Sequence, residues 1–420
     1  MRSDAMVFDV ARVRGLYVSL SDGWTYLNAQ ENAQVPEKVS TGVAMAFRTA
    51  ASIAMLEPAT GSHSKSQLVG QQLGISQVEA ARRAIADLVG ATPERVVLGP
   101  NKQMLMRSLA DALRPILRPN TSVVLCRSDE PTTTQHFQNF DASVMWAEPD
   151  LGTGELPAWQ FSRLVSGSTR LVVLPAAHRL VGTITPVSEI SDTVHSASRA
   201  WVLVDASAIA PYRSIDMEIM GADIIAVECA PLGGPQIAAL AFRDTTMFPR
   251  LAAVNPLAPH DSAQKLELGA LPIGLLGGVA PAIEHLAGLD EYARGTRRTR
   301  LTSSFADLAH YHYFLTHHLV ESLHGLGNVH LLGISGEAAG LGVTAIDRVP
   351  RVTFLVPGVS AETVQQRLMA NGIVTSVSPH DPLLEAMGAG EAGGSVTVGL
   401  SPFNTTHDID QLTRALASLA

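Results

Sequence analysis

The sequence predicts an α/β protein with a mainly parallel, seven-stranded sheet that carries helices on both faces, followed by a smaller C-terminal α+β domain. Two observations lead to this prediction. Between about residues 96 and 242, seven short runs rich in Val, Leu and Ile alternate with helical segments, a pattern typical of strands buried on both faces. After about residue 290 the alternation gives way to a long helix and shorter strands.

Length and composition restrict the class of protein. The chain has 420 residues, 46% of them hydrophobic and 16% charged, so it can bury a large core. The net charge of −9 is spread without blocks, which disfavours nucleic acid or an anionic membrane as a partner. Because the two cysteines lack metal-site spacing and no apolar leader is visible, we expect a cytoplasmic protein without a bound metal.

Residues 31–290 are expected to form the large domain. A helix follows Pro36, a Ser/Gly-rich connection spans 60–66, and a capping box of Ser76 and Glu79 predicts the start of the next helix. Gly90 to Pro93 ends that helix, and the apolar run 96–98 leads through a glycine turn into a further helix at about residue 102. The remaining predicted strands are 122–126, 142–147, 170–174, 201–204, 224–227 and 237–242, with helices at 157–165 and 187–197.

Residues 291–420 are expected to form the small domain, with residues 1–30 associated with it as an N-terminal arm. A predicted helix at about 302–326 carries His310, His317 and His324 at seven-residue intervals. Seven residues rise about 10.5 Å, too far for two imidazoles to bind one ion, so we expect an exposed or interdomain histidine-rich face. In the preceding linker we expect a solvated cluster of arginines: Arg294, Arg297, Arg298 and Arg300.

The stretch 201–242 resembles the cofactor centre of the class V aminotransferases, the fold type I pyridoxal phosphate enzymes that include the cysteine desulfurases. In that family it reads roughly VDGAQ, then ADF, then S-x-H-K-x-x-G-P. Here Asp205 stands at the aspartate, Gly234 and Pro235 at the closing pair, and Pro231 at the lysine. Shorter matches extend over about residues 26–415. The resemblance implies a fold type I architecture, a homodimer and pyridoxal phosphate as the cofactor.

Pro231 argues against covalent attachment of that cofactor, because proline has no amine with which to form an aldimine. Glu228 also replaces a family serine, and a carboxylate there would repel a phosphate. None of the chain's four lysines lies at the end of the corresponding strand: Lys38, Lys65, Lys102 and Lys265. We therefore assign no catalytic residue.

Four residues are expected to bind the cofactor or another anion: Asp205, Asn101, Lys102 and Gln103. Asp205 matches the aspartate that pairs with the pyridinium, and it ends a strand where open α/β sheets bind ligands; alternatively it caps a turn. The other three open a helix at the family's phosphate-binding turn. Backbone N–H groups and Lys102 would attract an anion there, although an ordinary helix start explains the same pattern.

Further positions depart from the family pattern. Thr397 stands where the resemblance places the arginine that binds the substrate carboxylate, and segment 379–383 resembles the desulfurase loop without its sulfur-accepting cysteine. The sequence thus predicts a family member without aldimine catalysis that binds a small anionic ligand or a protein partner as a homodimer. The alternative is an active aminotransferase-like or desulfurase-like enzyme that uses pyridoxal phosphate or another ligand by a non-standard route.

Overall fold

The structure is a computed structural model that describes residues 8–54, 70–334 and 347–418, so the expected connection at 60–66 lies outside the described residues. Within these ranges the strands are β1 (Thr25–Tyr26), β2 (Ile53–Ala54), β3 (Gln71–Gln72), β4 (Val96–Gly99), β5 (Ser122–Cys126), β6 (Ser143–Ala147), β7 (Thr169–Pro175), β8 (Trp201–Asp205), β9 (Ile224–Glu228), β10 (Ala238–Phe242), β11 (His330–Leu332), β12 (Arg351–Leu355), β13 (Ile373–Val374), β14 (Ser376–Val377) and β15 (Val396–Gly399).

The α-helices of the same ranges are α1 (Val10–Arg14), α2 (Glu37–Thr49), α3 (Leu73–Val89), α4 (Lys102–Ala112), α5 (Pro131–Thr134), α6 (Phe161–Leu164), α7 (Val187–Ala197), α8 (Met217–Met220), α9 (Ile273–Leu276), α10 (Val279–Ala287), α11 (Arg297–His324), α12 (Ala361–Ala370), α13 (Pro382–Ala386) and α14 (Thr406–Ala417). No helix in the described ranges combines the length and apolar character needed to cross a membrane.

The main sheet has seven strands in the order β4-β10-β9-β8-β7-β5-β6. Strands β6, β5, β7, β8 and β9 pair in parallel, whereas β10 runs antiparallel to both β9 and β4. The expectation of a mainly parallel seven-stranded sheet is therefore confirmed.

The continuous apolar runs are explained by two cores, one on each face of this sheet. Alternate side chains of a strand point to opposite faces, so Val202 and Val204 pack into one core and Leu203 into the other. Helices α3, α7 and α10 contribute to the first core and α4 to the second. Strand β8 is buried throughout because both of its faces are covered, and its residues Trp201 to Val204 are accordingly all apolar.

The predicted start of α3 at a capping box is wrong. The helix begins at Leu73, three residues before Ser76. Its first N–H groups are satisfied by the preceding chain instead, because Leu73 N donates to Ser52 O and Gly74 N donates to Ala50 O. Gly90, in the left-handed region with φ of 76°, ends the helix where the sequence predicts.

The arginine cluster before α11 is also different from its expected solvated state. The helix begins at Arg297, earlier than predicted, so most of the cluster lies in its first turn. Three guanidinium groups form ion pairs with acidic residues of α3, α10 and the Asp216 turn: Arg297 with Asp87 at 3.0 Å, Arg298 with Asp216 at 2.8 Å and Arg300 with Glu284 at 2.6 Å. These ion pairs join α11 to helices that cover the main sheet, so the arginine side chains do not face solvent alone.

A second sheet, in the order β11-β12-β15-β14, forms the smaller α+β part of the chain. Residues from the N-terminus join this region, because β1 pairs in parallel with β13 and Asn28 bridges to Gly399. Helix α11 packs Leu315, Leu319 and Leu323 against it, while His310 and His324 are exposed as expected.

Candidate functional site

A cavity of about 350 Å³ lies where four parallel strands of the main sheet end. Carboxyl ends of parallel strands meet at one edge of a sheet, and ligands of open α/β proteins bind there. Pro175 ends β7, Asp205 ends β8, Glu228 ends β9, and Glu130 lies a few residues after β5; all four line the cavity. A segment that follows β1, residues 29–33, forms a further part of the wall.

Lys102 is the centre of an ion-pair cluster in this cavity. Its side chain is 3% exposed, and its Nζ atom lies 2.6 Å from Asp205 Oδ2, 3.1 Å from Glu130 Oε2 and 3.4 Å from Glu228 Oε2. Lys102 is the first residue of α4, and side chains of a helix lean toward its N-terminus, so the ammonium group reaches the end of the sheet. One cation thus joins the ends of β8 and β9 to the loop after β5.

The ionisation of the cluster follows from burial and proximity. Burial lowers the pKa of Lys102, but the carboxylates of Asp205, Glu130 and Glu228 outweigh burial and hold it well above 10.5. Burial raises the pKa of Asp205, yet the Lys102 ammonium reverses the shift and keeps that pKa below its usual range. Lys102 is therefore a charged ammonium group, and Asp205 is its ionised partner.

Both carboxylate oxygens of Asp205 accept hydrogen bonds. Oδ2 accepts from Lys102, and Oδ1 accepts from the backbone N–H of Ser207 at 2.9 Å. The turn-capping alternative considered from the sequence is thus realised together with the ion pair. Of the other predicted site residues, Asn101 uses its side-chain oxygen to cap α4 by accepting from Met104 N at 2.8 Å, and Gln103 is exposed. Neither Asn101 nor Gln103 lines the cavity, whereas Lys102 and Asp205 do.

Pro231 lines the cavity from a 3₁₀ turn, Ala230–Leu232, that directly follows β9. The turn ends at Gly233, whose φ of 72° lies in the left-handed region and where a Cβ atom would lie 2.7 Å from Gln34 O. Cys229 is fully buried and does not line the cavity, and burial raises the pKa of its thiol to about 12. A buried, protonated thiol is unreactive, so Cys229 is a packing residue and not a nucleophile.

Several buried polar atoms of the cavity wall lack a hydrogen-bond partner among the described residues: Gln30 Oε1, Ser128 Oγ, Asp129 Oδ2, Arg179 Nε and Arg351 Nε. Buried polar groups in folded proteins are nearly always hydrogen-bonded. A concentration of unpartnered donors and acceptors around one cavity therefore points to a polar ligand. Burial and the nearby carboxylate of Asp205 also raise the pKa of Asp129 well above its usual range, which favours the protonated form of this carboxyl group.

Arg179 lies at the rim between the two sheets. Its Nε atom is 3.7 Å from Glu130 Oε1 and 3.8 Å from Asp381 Oδ2, and Asp381 belongs to the loop that resembles the desulfurase loop. Arg351, the first residue of β12, lines the cavity from the smaller sheet. Sequence reasoning missed Arg351, because a single arginine before a buried strand carries no motif.

The chain matches known proteins over nearly its whole length. A family model for aminotransferase class-V matches residues 49–412. An uncharacterized protein of Mycobacterium tuberculosis is 38% identical over 418 residues, which cover 99% of this chain and 100% of that protein. An aminotransferase-like protein of Gibberella zeae is 26% identical over 346 residues, which cover 80% of this chain and 81% of that protein.

The fold is that of the cysteine desulfurases. The apo structure of the enzyme from Thermococcus onnurineus superposes with a TM-score of 0.79 at 18% identity, covering 99% of this chain and 98% of that one. On the family match and the 38% identical relative, the chain belongs to the class V aminotransferase family.

Proposed function

We propose that the chain binds a small polar ligand non-covalently in the cavity at the carboxyl edge of the main sheet and carries out no aldimine chemistry. One observation carries the proposal: the Lys102 ammonium group lies against Asp205, Glu130 and Glu228, at 2.6, 3.1 and 3.4 Å. By resemblance to the family, we further propose that the protein is a cytoplasmic homodimer. The unpartnered polar atoms of the wall support a ligand that offers hydrogen bonds.

Pyridoxal phosphate does not fit the residues present. The cofactor needs a lysine for the aldimine, a carboxylate for the pyridine nitrogen and donors for the phosphate. Proline occupies the position that the resemblance assigns to the lysine, and the Lys102 ammonium group lies 2.6 Å from Asp205 Oδ2, against the carboxylate that would pair with the pyridine nitrogen. Glu130 and Glu228 at the same edge would repel a phosphate.

Lys102 is a poor substitute for the missing lysine. An amine attacks an aldehyde only when it is neutral, and the pKa of Lys102 is held well above 10.5 by its carboxylate partners after burial is overcome. Neutralising it would also leave three acidic side chains without their cation. The ion-pair cluster thus favours a charged, unreactive lysine.

The proposal is tested by incubating the purified protein with pyridoxal phosphate, reducing with borohydride and mapping labelled lysines by mass spectrometry. We expect no stoichiometric adduct on Lys102, and only partial labelling of exposed Lys38, which serves as an internal control for reagent activity. Pro231→Lys is expected to remain without a stoichiometric adduct at residue 231, because Asp205 stays committed to Lys102. A stoichiometric adduct on Lys102 would overturn the proposal in favour of an enzyme with a relocated aldimine.

The oligomeric state is tested separately by light scattering coupled to size exclusion. We expect twice the mass of the chain at micromolar concentration, as the family resemblance implies. A mass equal to one chain across the concentration range would contradict the homodimer and leave the ligand-binding proposal in place.

A further inference from the structure

We infer that Arg351 anchors the carboxylate of a small organic monoanion in the cavity; the inference rests on the proposed non-covalent ligand site. Arg351 is 2% exposed and lines the cavity. Its Nη1 atom donates to Arg179 O at 2.8 Å, and its guanidinium carbon lies 5.4 Å from the centroid of the Tyr212 ring. No acidic residue in the described ranges lies within ion-pair distance of it, and its buried Nε has no partner.

Such a guanidinium group is unusual within this molecule. Lys102 is matched by three carboxylates, and buried Lys265 donates to three backbone carbonyl oxygens at 2.8–2.9 Å. Arg348, away from the cavity, donates to two carbonyl oxygens. Buried charges in proteins are paired or fully hydrogen-bonded because desolvation is costly. Arg351 has one carbonyl partner and a free Nε at a cavity wall, so the missing counter-ion is assigned to the ligand.

The chemistry of the wall narrows the class of ligand. A planar guanidinium group matches a carboxylate with two parallel hydrogen bonds. Acidic side chains of the cavity wall outnumber basic ones by five to three: Glu31, Asp129, Glu130, Asp205 and Glu228 against Lys102, Arg179 and Arg351. A ligand with several negative charges, such as a diphosphate, is therefore disfavoured. The hydroxyl group of Ser128 has no hydrogen-bond partner among the described residues and can bond a polar group on the remainder of the ligand. A volume of about 350 Å³ suits a small organic acid.

Acetate is the probe for this site, with acetamide as its uncharged isostere and sodium chloride as the control for ionic strength. In wild type we expect acetate at about tenfold above its Kd to raise Tm by on the order of 1–2 °C beyond the chloride control, and acetamide to have no effect. In R351Q we expect the acetate response to disappear. R213Q is the matched control: Arg213 is a partly buried arginine paired with Asp347 at 3.5 Å and does not line the cavity, so its loss should leave the response intact.

The outcomes separate the inference from the proposed function. Absence of an acetate response in wild type, or a response that survives in R351Q, would overturn the role of Arg351 even if no cofactor adduct forms. An adduct on Lys102 would instead overturn the non-covalent site itself. If circular dichroism shows that R351Q does not fold, Arg351→Lys is the second test, because lysine keeps the positive charge but cannot form two parallel hydrogen bonds with a carboxylate. We expect the affinity of this variant for acetate to fall about tenfold. An unchanged affinity would contradict the role of Arg351 as the carboxylate anchor.

Discussion

Replacing Lys102 by methionine is expected to lower the free energy of unfolding by about 3–5 kcal/mol at pH 7, the usual cost of removing one partner from a buried ion pair. The change leaves Asp205, Glu130 and Glu228 close together without the cation that lies 2.6–3.4 Å from each. Urea denaturation followed by circular dichroism measures the difference. Methionine keeps the length of the side chain, so the loss reports charge rather than packing.

The pH dependence of this variant gives a second readout. In wild type the pKa of Asp205 is lowered by Lys102 against the effect of burial, so the carboxylate stabilises the fold above pH 3.8, and this contribution is lost as pH falls through the lowered pKa. In K102M the Asp205 carboxyl group is buried without a cation, so we expect its pKa to rise. A raised carboxyl pKa makes the fold more stable below that pKa and less stable as pH rises through it. We therefore expect K102M to recover part of its stability between about pH 7 and pH 5.

Two variants control for the loss of a buried lysine as such. Lys265→Met removes an ammonium group that contacts only carbonyl oxygens, so it should destabilise the fold without the acid recovery. The double variant K102M/D205N removes a charge along with the cation and should be more stable at pH 7 than K102M. Equal pH profiles for K102M and K265M would contradict the view that Lys102 acts through its carboxylates.

Replacing Arg82 by methionine is expected to destabilise the fold by about 3 kcal/mol, because it leaves a buried carboxylate without its cation. Arg82 Nη2 lies 2.7 and 2.8 Å from the two oxygens of Glu267, and the side chains are 12% and 9% exposed. Glu267 Oε1 also accepts from Leu98 N at 2.7 Å, so the pair connects α3 to the edge strand β4. Thermal and urea unfolding measure the change.

The control for Arg82 is the double variant R82M/E267M. Replacing both members of a buried ion pair by apolar residues of similar volume is often nearly neutral. We therefore expect the double variant to regain most of the stability lost in R82M. A double variant as unstable as R82M would show that the pair's backbone hydrogen bonds, rather than its uncompensated charge, account for the loss.

The fold could be predicted from the sequence because its strands are continuous apolar runs, and such runs at the right spacing specify a doubly covered parallel sheet. The direction of β10 could not, since a buried antiparallel strand such as Ala238–Phe242 has the same composition as its parallel neighbours. The start of α3 was missed because its first N–H groups are capped by backbone carbonyl groups of Ala50 and Ser52, which leave no side-chain signature.

The candidate site could be predicted only in part. Asp205 and Lys102 were identified singly, from a strand end and a helix start, but they are 103 positions apart, and their hydrogen bond depends on how the sheet is assembled. Arg351 was missed because its significance comes from what surrounds it: a buried charge without a counter-ion is a property of three-dimensional packing. Local sequence patterns indicate individual helices and strands, whereas ion pairs between different elements depend on how the fold brings those elements together.

The pairing of β1 with β13 has a consequence for how the protein is made. Residues 29–33, which form part of the cavity wall, directly follow a strand whose partner lies at residues 373–374, and Asn28 is fixed by Gly399. During synthesis this part of the wall can therefore form only after residues 373–374 and Gly399 have been added. We expect a fragment that ends before Ile373 to contain all residues of the main sheet and of the Lys102 cluster but to lack a closed cavity.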